Sequence, residues 1–361
     1  MFNKVYPLTL HKEYVSRWGM LEAVRELIQN SLDSESPFEY NFLQQDIDYW
    51  QLTLVSKFST LPVQSLLLGT TSKAENDSAI GSFGEGYKLA LLVLTRLDYP
   101  VEILNGKVQW KPSFQYNKLF EAELLSIEES SLAEKHSGLT IKIRNLSEAD
   151  CEAIKDSCLF MQKHIGEVKN TKYGQILLER PAKLYVGGLF VCETELDYGY
   201  NIEPCFLSLE RDRQTVNDWD LKQKVKDMWF DIGEPALVAQ MMEEGIPDLE
   251  YAHWNTPEVV KEACYQLFIS RNPNTLIASS ERELKERVAK GMEKIVVLQS
   301  RSFSTSVCES TSYKKNLKQP QMQTISEYLA EWAAKNKSYM RRDAQIAFKS
   351  IIEEAKTWRR T

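Results

Sequence analysis

Glu26-Leu-Ile-Gln-Asn30-Ser-Leu-Asp33 and, about fifty residues further on, Ile80-Gly-Ser-Phe-Gly84-Glu-Gly86-Tyr-Lys88-Leu-Ala90 are the stretches whose reading decides the fold. From Leu21 to Asp33 the apolar residues recur with helical period. Leu21, Val24, Ile28 and Leu32 share one face, while Glu26, Asn30 and Asp33 stand at i, i+4 and i+7 on the other. A carboxylate one turn before an amide can polarise a water while the amide oxygen ligates Mg²⁺, a hard cation that prefers oxygen and keeps several waters. Taken alone, the same stripe also suits the solvated face of a surface helix. The second stretch adds a different chemistry. Gly81, Gly84 and Gly86 permit backbone conformations closed to other residues, and an apolar helix is predicted over Tyr87–Arg96. A glycine loop feeding a helix N-terminus turns N–H groups and a positive dipole end toward anions. Lys73 and Lys88 are the nearest fixed positive charges.

In this order and at this spacing the two stretches resemble the nucleotide site of the GHKL ATPases, the superfamily of gyrase, certain heat-shock chaperones, histidine kinases and MutL. Leu68-Gly-Thr-Thr-Ser-Lys73 is similar to that superfamily's lid edge, and Gly138-Leu-Thr-Ile-Lys-Ile143 to its closing strand. Phe206-Leu-Ser-Leu-Glu-Arg211-Asp-Arg213 resembles a chaperone middle-domain segment whose arginine reaches the γ-phosphate. The likeness runs over about residues 10–220. It implies a Bergerat-type nucleotide domain with ATP and Mg²⁺ as cofactors. Glu26 is then the general base, Asn30 the metal ligand and Asp33 a hydrogen-bonding support. The Gly81, Gly84 and Gly86 loop becomes the lid hinge, Lys73 and Lys88 lie near the phosphates, and Arg211, with Arg213 as alternate, couples the γ-phosphate to a second domain. Two departures fall on the base side. Where an Asp-x-Gly-x-Gly motif belongs, near Val55–Leu61, the chain reads Val-Ser-Lys-Phe-Ser-Thr-Leu, and Leu139 replaces the threonine that borders adenine. The base is then read by Ser56, Ser59 or backbone, or the nucleotide is not ATP. A site that binds without turnover stays open.

The bulk numbers are those of an ordinary globular protein of two or three domains: 361 residues, 43% hydrophobic and 26% charged. The densest apolar run is only Leu89–Leu94, so no membrane span is expected. Met1-Phe-Asn-Lys-Val-Tyr6 carries no signal-peptide core, which predicts a cytoplasmic location. Six cysteines without a Cys-x-x-Cys pair and four scattered histidines argue against structural zinc and suit a reducing compartment. Net charge is −7, unevenly spread: from Tyr313 onward eleven Lys and Arg face five Asp and Glu, leaving +6 on the tail and −13 on the body. A basic tail on an acidic body predicts docking on that body or contact with an anionic partner. Any nucleic-acid binding is expected to be weak and non-specific.

The expected fold class is α/β, an α+β two-layer sandwich. Residues 1–150 read as the nucleotide domain, with helices near 10–34 and 86–96 and strands near 51–56, 101–110 and 139–144. Ser147 is the expected N-cap of a helix reaching about Gln162. A transducer-like α/β domain follows over 151–235, with a hairpin turning at Gly187-Gly188 and a strand at Phe206–Leu209. Residues 236–300 form a small α/β unit opened by a helix with Thr256 as N-cap, and 301–361 a linker and basic helical tail. Within it, Ser300–Ser312 reads as a loop, and helices are expected near 321–335 and 338–358. Two functions suit this organisation. One is an ATPase that acts on a protein partner, or on its own second copy, through lid closure and interdomain rotation. The other is a non-catalytic nucleotide-binding or interaction module, such as the short stand-alone members of the superfamily found in bacteriophages. A sensor kinase lacks its phosphoacceptor helix pair here, and a topoisomerase its strand-cleaving domain.

Overall fold

The computed structural model describes residues 4–34, 36–67, 86–209, 215–273, 275–278, 282, 284–285, 295–318 and 325–355. The chain has a mixed α/β fold and divides into two compact units, Met1–Asn255 and Thr256–Thr361.

The first unit opens with β1 (Lys4–His11), α1 (Met20–Leu32), β2 (Phe38–Gln44) and β3 (Trp50–Ser56). It continues with α2 (Gly86–Arg96), β4 (Val101–Asn105), β5 (Val108–Asn117), β6 (Ala122–Ser131), β7 (Leu139–Leu146) and α3 (Glu148–Asp156). The seven strands make one antiparallel sheet in the order β1-β6-β5-β4-β7-β3-β2. Period-two alternation sets its inner face: Leu52 and Leu54 of β3 lie opposite Ile143 and Ile141 of β7, and all four are buried. Burial of each such side chain contributes roughly 1.5–3 kcal/mol. α1, α2 and α3 pack on one another and on this sheet, sharing one core with it. Leu89–Leu94 of α2 are all buried, as a helix apolar on every side requires. Ser147 caps α3 as expected, its Oγ accepting from the Asp150 N–H at 3.1 Å.

Three expectations for this region are corrected. The helix expected near 10–34 begins only at Met20, and a strand, Lys4–His11, precedes it. Leu8 and Leu10 point inward with period two, and Pro7 is tolerated because β1 is the sheet edge. β2 and β6 were also absent from the expected set. α1, finally, is no half-solvated surface helix. Val24 and Ile28 are buried and Leu21 is 37% exposed, yet Arg25, Glu26, Gln29 and Ser31 on the remaining sides are buried too.

A second sheet follows in the same unit: β8 (Val168–Thr171), β9 (Gly174–Leu177), β10 (Lys183–Val186), β11 (Leu189–Glu193) and β12 (Gly199–Ile202), in the order β11-β10-β12-β9-β8. Gly187 and Gly188, at φ +57° and +79°, make the two-residue turn between β10 and β11 that the sequence predicts. Phe206–Leu209, expected as a strand, is none. Pro204 starts a 3₁₀ turn through Phe206, and a proline N-terminus suits a helical turn better than a ladder. α4 (Asp218–Asp231) and α5 (Pro235–Glu244) follow in the unit, which runs to Asn255. The buried Asp248 carboxylate, in the 3₁₀ turn Pro247–Leu249, accepts from Tyr200 Oη on β12 and from the Asp197 N–H at 2.8 Å, while Trp229 Nε1 ties α4 to the sheet by donating to Tyr200 Oη at 2.8 Å.

The second unit comprises α6 (Glu258–Arg271), β13 (Leu276–Ala278), β14 (Ile295–Val297), α7 (Arg301–Glu309), α8 (Thr311–Lys318), α9 (Ile325–Lys335) and α10 (Arg342–Ala355) among the described residues. β13 and β14 pair in parallel. Ser300–Ser312, expected as a loop, is largely helical. Ser300 Oγ caps α7 by accepting from the Phe303 N–H at 3.2 Å, and Ser302, Ser306 and Ser310 are buried. Thr256 is not the cap of α6: Pro257 holds that position, and Thr256 Oγ1 instead meets Ser306 Oγ at 3.2 Å. Among the described residues no helix is long and apolar enough to cross a membrane.

Candidate functional site

The polar side of α1 is the centre of the candidate site. Glu26 is 0% exposed, and its carboxylate lies 4.0 Å from the Arg25 guanidinium. One turn on, Asn30 is half-buried and its Nδ2 donates to the Glu26 carbonyl at 2.6 Å. The amide nitrogen is thereby committed to the helix, and Oδ1 is the hard donor that Asn30 can offer. Asp33 is the C-cap of α1, its N–H donating to the Gln29 carbonyl at 2.9 Å. The helix thus brings Glu26, Asn30 and Asp33 to one side, as their spacing predicts, but buries the first of them.

What covers part of α1 comes from the second sheet. Arg25 Nη1 donates to the Phe190 carbonyl on β11 at 3.3 Å, across 165 residues of sequence. Arg25, Gln29, Val186, Leu189, Phe190, Val191 and Leu209 line a crevice between α1 and the β10–β11 hairpin. Gln29 Nε2 is buried without a hydrogen-bond partner among the described residues. Sequence reasoning missed Arg25 and Gln29. The signal was present in the spacing, since Gln29 stands at i+4 from Arg25 and i+3 from Glu26 and so shares a helix face with them. Arg211 and Arg213 lie outside the described residues. Leu209, two positions earlier, already lines the crevice beside Gln29.

Across α1 lies α2, whose first residue, Gly86, is buried. Tyr87 Oη and Ser65 Oγ are buried without hydrogen-bond partners among the described residues, and burial pushes the Tyr87 phenol well above its ordinary range. The Lys73, Gly81 and Gly84 expectations lie outside the described residues. Lys88 is buried, and its ammonium donates to the Ser65 carbonyl at 3.0 Å and to the Leu67 carbonyl, so its charge supports the main chain entering the 68–85 segment.

On the base side, Leu139 pairs with Ser56 across β7 and β3, and Ser56 is buried while Ser59 is half-buried. Asn105, unremarked in the sequence, grips Leu61 with its whole amide: Nδ2 donates to the Leu61 carbonyl at 2.7 Å and Oδ1 accepts from the Leu61 N–H at 3.0 Å. His136 Nε2 lies 2.8 Å from Thr140 Oγ1 on β7. Among the described residues no group of three or more His, Cys, Asp and Glu is arranged to hold a metal. The donor set around α1 still suits Mg²⁺ carried in on phosphates, since that ion needs only one or two protein oxygens, and the orphaned Gln29, Ser65 and Tyr87 groups are polar atoms for which a ligand would supply partners. The chain matches no protein-family profile. It also matches no curated protein.

Proposed function

We propose that the chain is a Mg²⁺-dependent ATP-binding protein of the GHKL type that hydrolyses ATP and uses the resulting conformational change to act on a macromolecular partner, a protein or a second copy of itself. The observation that carries this reading is the buried Glu26 carboxylate one turn from Asn30, on a helix packed against α2 and over an antiparallel sheet. When bound, Mg²⁺ and the triphosphate supply the electrophilic phosphorus and the charge neutralisation that phosphoryl transfer needs. Glu26 accepts the proton of the attacking water, and Arg25, fixed to the Phe190 carbonyl, positions the carboxylate. Asn30 Oδ1 offers the protein oxygen to the metal, and the first N–H groups of α2 face the anion. Arg211, outside the described residues, keeps the role that the resemblance implies, coupling the γ-phosphate to the second domain.

One observation favours the alternative, a non-catalytic nucleotide-binding or interaction module of bacteriophage type. Lys88, one of two lysines expected at the phosphates, is committed to main-chain carbonyls. Turnover decides between the two. Calorimetry with ATP, GTP and a non-hydrolysable analogue, with and without Mg²⁺, is set beside phosphate release. Glu26→Gln keeps the shape of the buried group and is expected to lower turnover about 10²–10⁴-fold while leaving affinity nearly unchanged. Wild-type protein that binds nucleotide but releases no phosphate above a buffer blank leaves the module standing. Normal turnover by Glu26→Gln means that the base is another residue.

A further inference from the structure

We propose that the exposed aromatic platform of Trp219, Tyr251, His253 and Trp254 in the first unit is a docking surface for an arginine- or lysine-bearing segment of a protein partner. Trp254 is its hub. Its ring meets Trp219 edge-on at 6.5 Å between centroids, Tyr251 at 6.4 Å and His253 at 5.8 Å. Both indoles are large and open, Trp219 49% and Trp254 48% exposed. Single exposed apolar residues are ordinary on a protein surface, but contiguous aromatic patches rimmed by polar groups mark interaction sites, and Trp and Tyr supply most interface energy.

The frame beneath the rings is fixed. Asn217 Oδ1 caps α4 by accepting from the Trp219 N–H at 3.0 Å and the Asp220 N–H at 3.2 Å. The buried Lys226 ammonium donates to the Trp254 carbonyl at 3.2 Å, and the Trp254 N–H donates to the Tyr251 carbonyl at 3.1 Å. A surface ordered in advance loses little further entropy when it is covered.

Charge selects the guest. Asp218, Asp220 and Glu250, all exposed, surround the platform with Asp227, and among the described residues the cations beside them are Lys222, 3.2 Å from Asp218 and 3.0 Å from Glu250, and Lys226, 3.5 Å from Asp227. Four carboxylates and two ammoniums leave a charge of −2 among these described residues. Phosphate-bearing partners are repelled by that rim, whereas a guanidinium or ammonium gains both the carboxylates and the indole faces. The molecule holds a cation in this manner itself: Lys222 Nζ lies 5.7 Å from the centre of the Tyr251 ring. This surface is independent of the nucleotide reading.

Fluorescence anisotropy on the full chain tests it with three labelled probes: a nonapeptide alternating Arg and Gly, the same peptide with citrulline for arginine, and oligothymidine of similar length. The arginine peptide is expected to bind at least tenfold more tightly than either of the others. The pair Trp219→Ala and Trp254→Ala removes no charge and is expected to weaken binding about 5- to 30-fold, the loss of two exposed cation–π contacts. The Phe pair keeps the rings and most of the affinity. Should the Ala pair not fold, Trp219→Ala alone, on the exposed first turn of α4, is expected to weaken binding about two- to fivefold. Unchanged binding by the folded Ala variants, preference for oligothymidine, or no binding of the arginine peptide each overturns the proposal.

Discussion

Buried at the start of α2, the Lys88 ammonium donates to the Ser65 and Leu67 carbonyls and so anchors the 3₁₀ turn Val63–Leu66. An ammonium out of water is costly unless its protons find acceptors, and these carbonyls are what makes its burial tolerable. Lys88→Met keeps the length of the side chain but leaves the carbonyls without that donor, which is expected to cost about 3 kcal/mol. A urea midpoint unchanged from wild type would show that the ammonium is not a strut. The residue's position next to the glycine loop was legible from spacing alone. Whether it faced a ligand or the protein was not, because phosphate and carbonyl oxygens both satisfy an ammonium and the choice depends on where the 63–67 segment lies. Glu26 shows the same limit. Counting residues puts it on one stripe with Asn30 and Asp33, but its full burial cannot be counted out along one helix when a neighbouring residue, Arg25, reaches a β11 carbonyl 165 positions away.

Among the elements, the junction of β3 and β7 is tightly specified. Gly138, at φ +76°, precedes β7 where an added Cβ would lie 2.3 Å from the Lys57 carbonyl oxygen and 2.4 Å from that of Ser56. No rotamer change relieves a collision with main chain. Gly138→Ala is therefore expected to lose about 3 kcal/mol or more, lowering the melting temperature of the first unit by roughly 6–12 °C. A drop of less than two degrees would mean that the two strands separate there at little cost. α2 and the β10–β11 hairpin were legible because local signals suffice for them: an unbroken apolar run after glycines, and a Gly-Gly pair between two alternating segments. β1 was not, since it owes its place to a partner distant in sequence, pairing Lys4 with Glu129. β2 and β6 pair with their sequence neighbours β3 and β5, but neither alternates buried with exposed residues, so no period-two signal marks them. The serines of α7 misled for a different reason. Serine is a poor helix former by propensity, yet Ser302, Ser306 and Ser310 are small enough to be buried against α6, and tertiary packing overrides the local preference.

For the molecule as a whole, buried titratable groups set the alkaline limit of stability. Cys151 on α3 and Cys158 just after it are both buried, and burial pushes both thiols up to about 11. In the unfolded chain a thiol ionises near 8.5. Folded values that are raised mean that the native state keeps its protons while the unfolded state gives them up. The thiols' contribution is therefore complete below about pH 8.5 and is lost as pH climbs toward 11. At pH 10 the two together are expected to lower the unfolding free energy by about 2–3 kcal/mol relative to pH 7.5, most of it from Cys158 and less from the better-screened Cys151. The acidic balance of the chain works in the same direction, because a net charge of −7 grows more negative as protons leave and repulsion favours expansion. Above pH 10 the tyrosines extend the decline. Tyr200 is held protonated well above 10 by burial first and then by the Asp248 charge beside it, and Tyr87 by burial. Urea unfolding at half-unit steps from pH 7.5 to 11 reads both phases, and the Cys151→Ala, Cys158→Ala pair is expected to flatten the first while leaving the second. A curve from the cysteine-free pair that falls as steeply below pH 10 as the wild type's would assign the loss to net charge and not to the thiols.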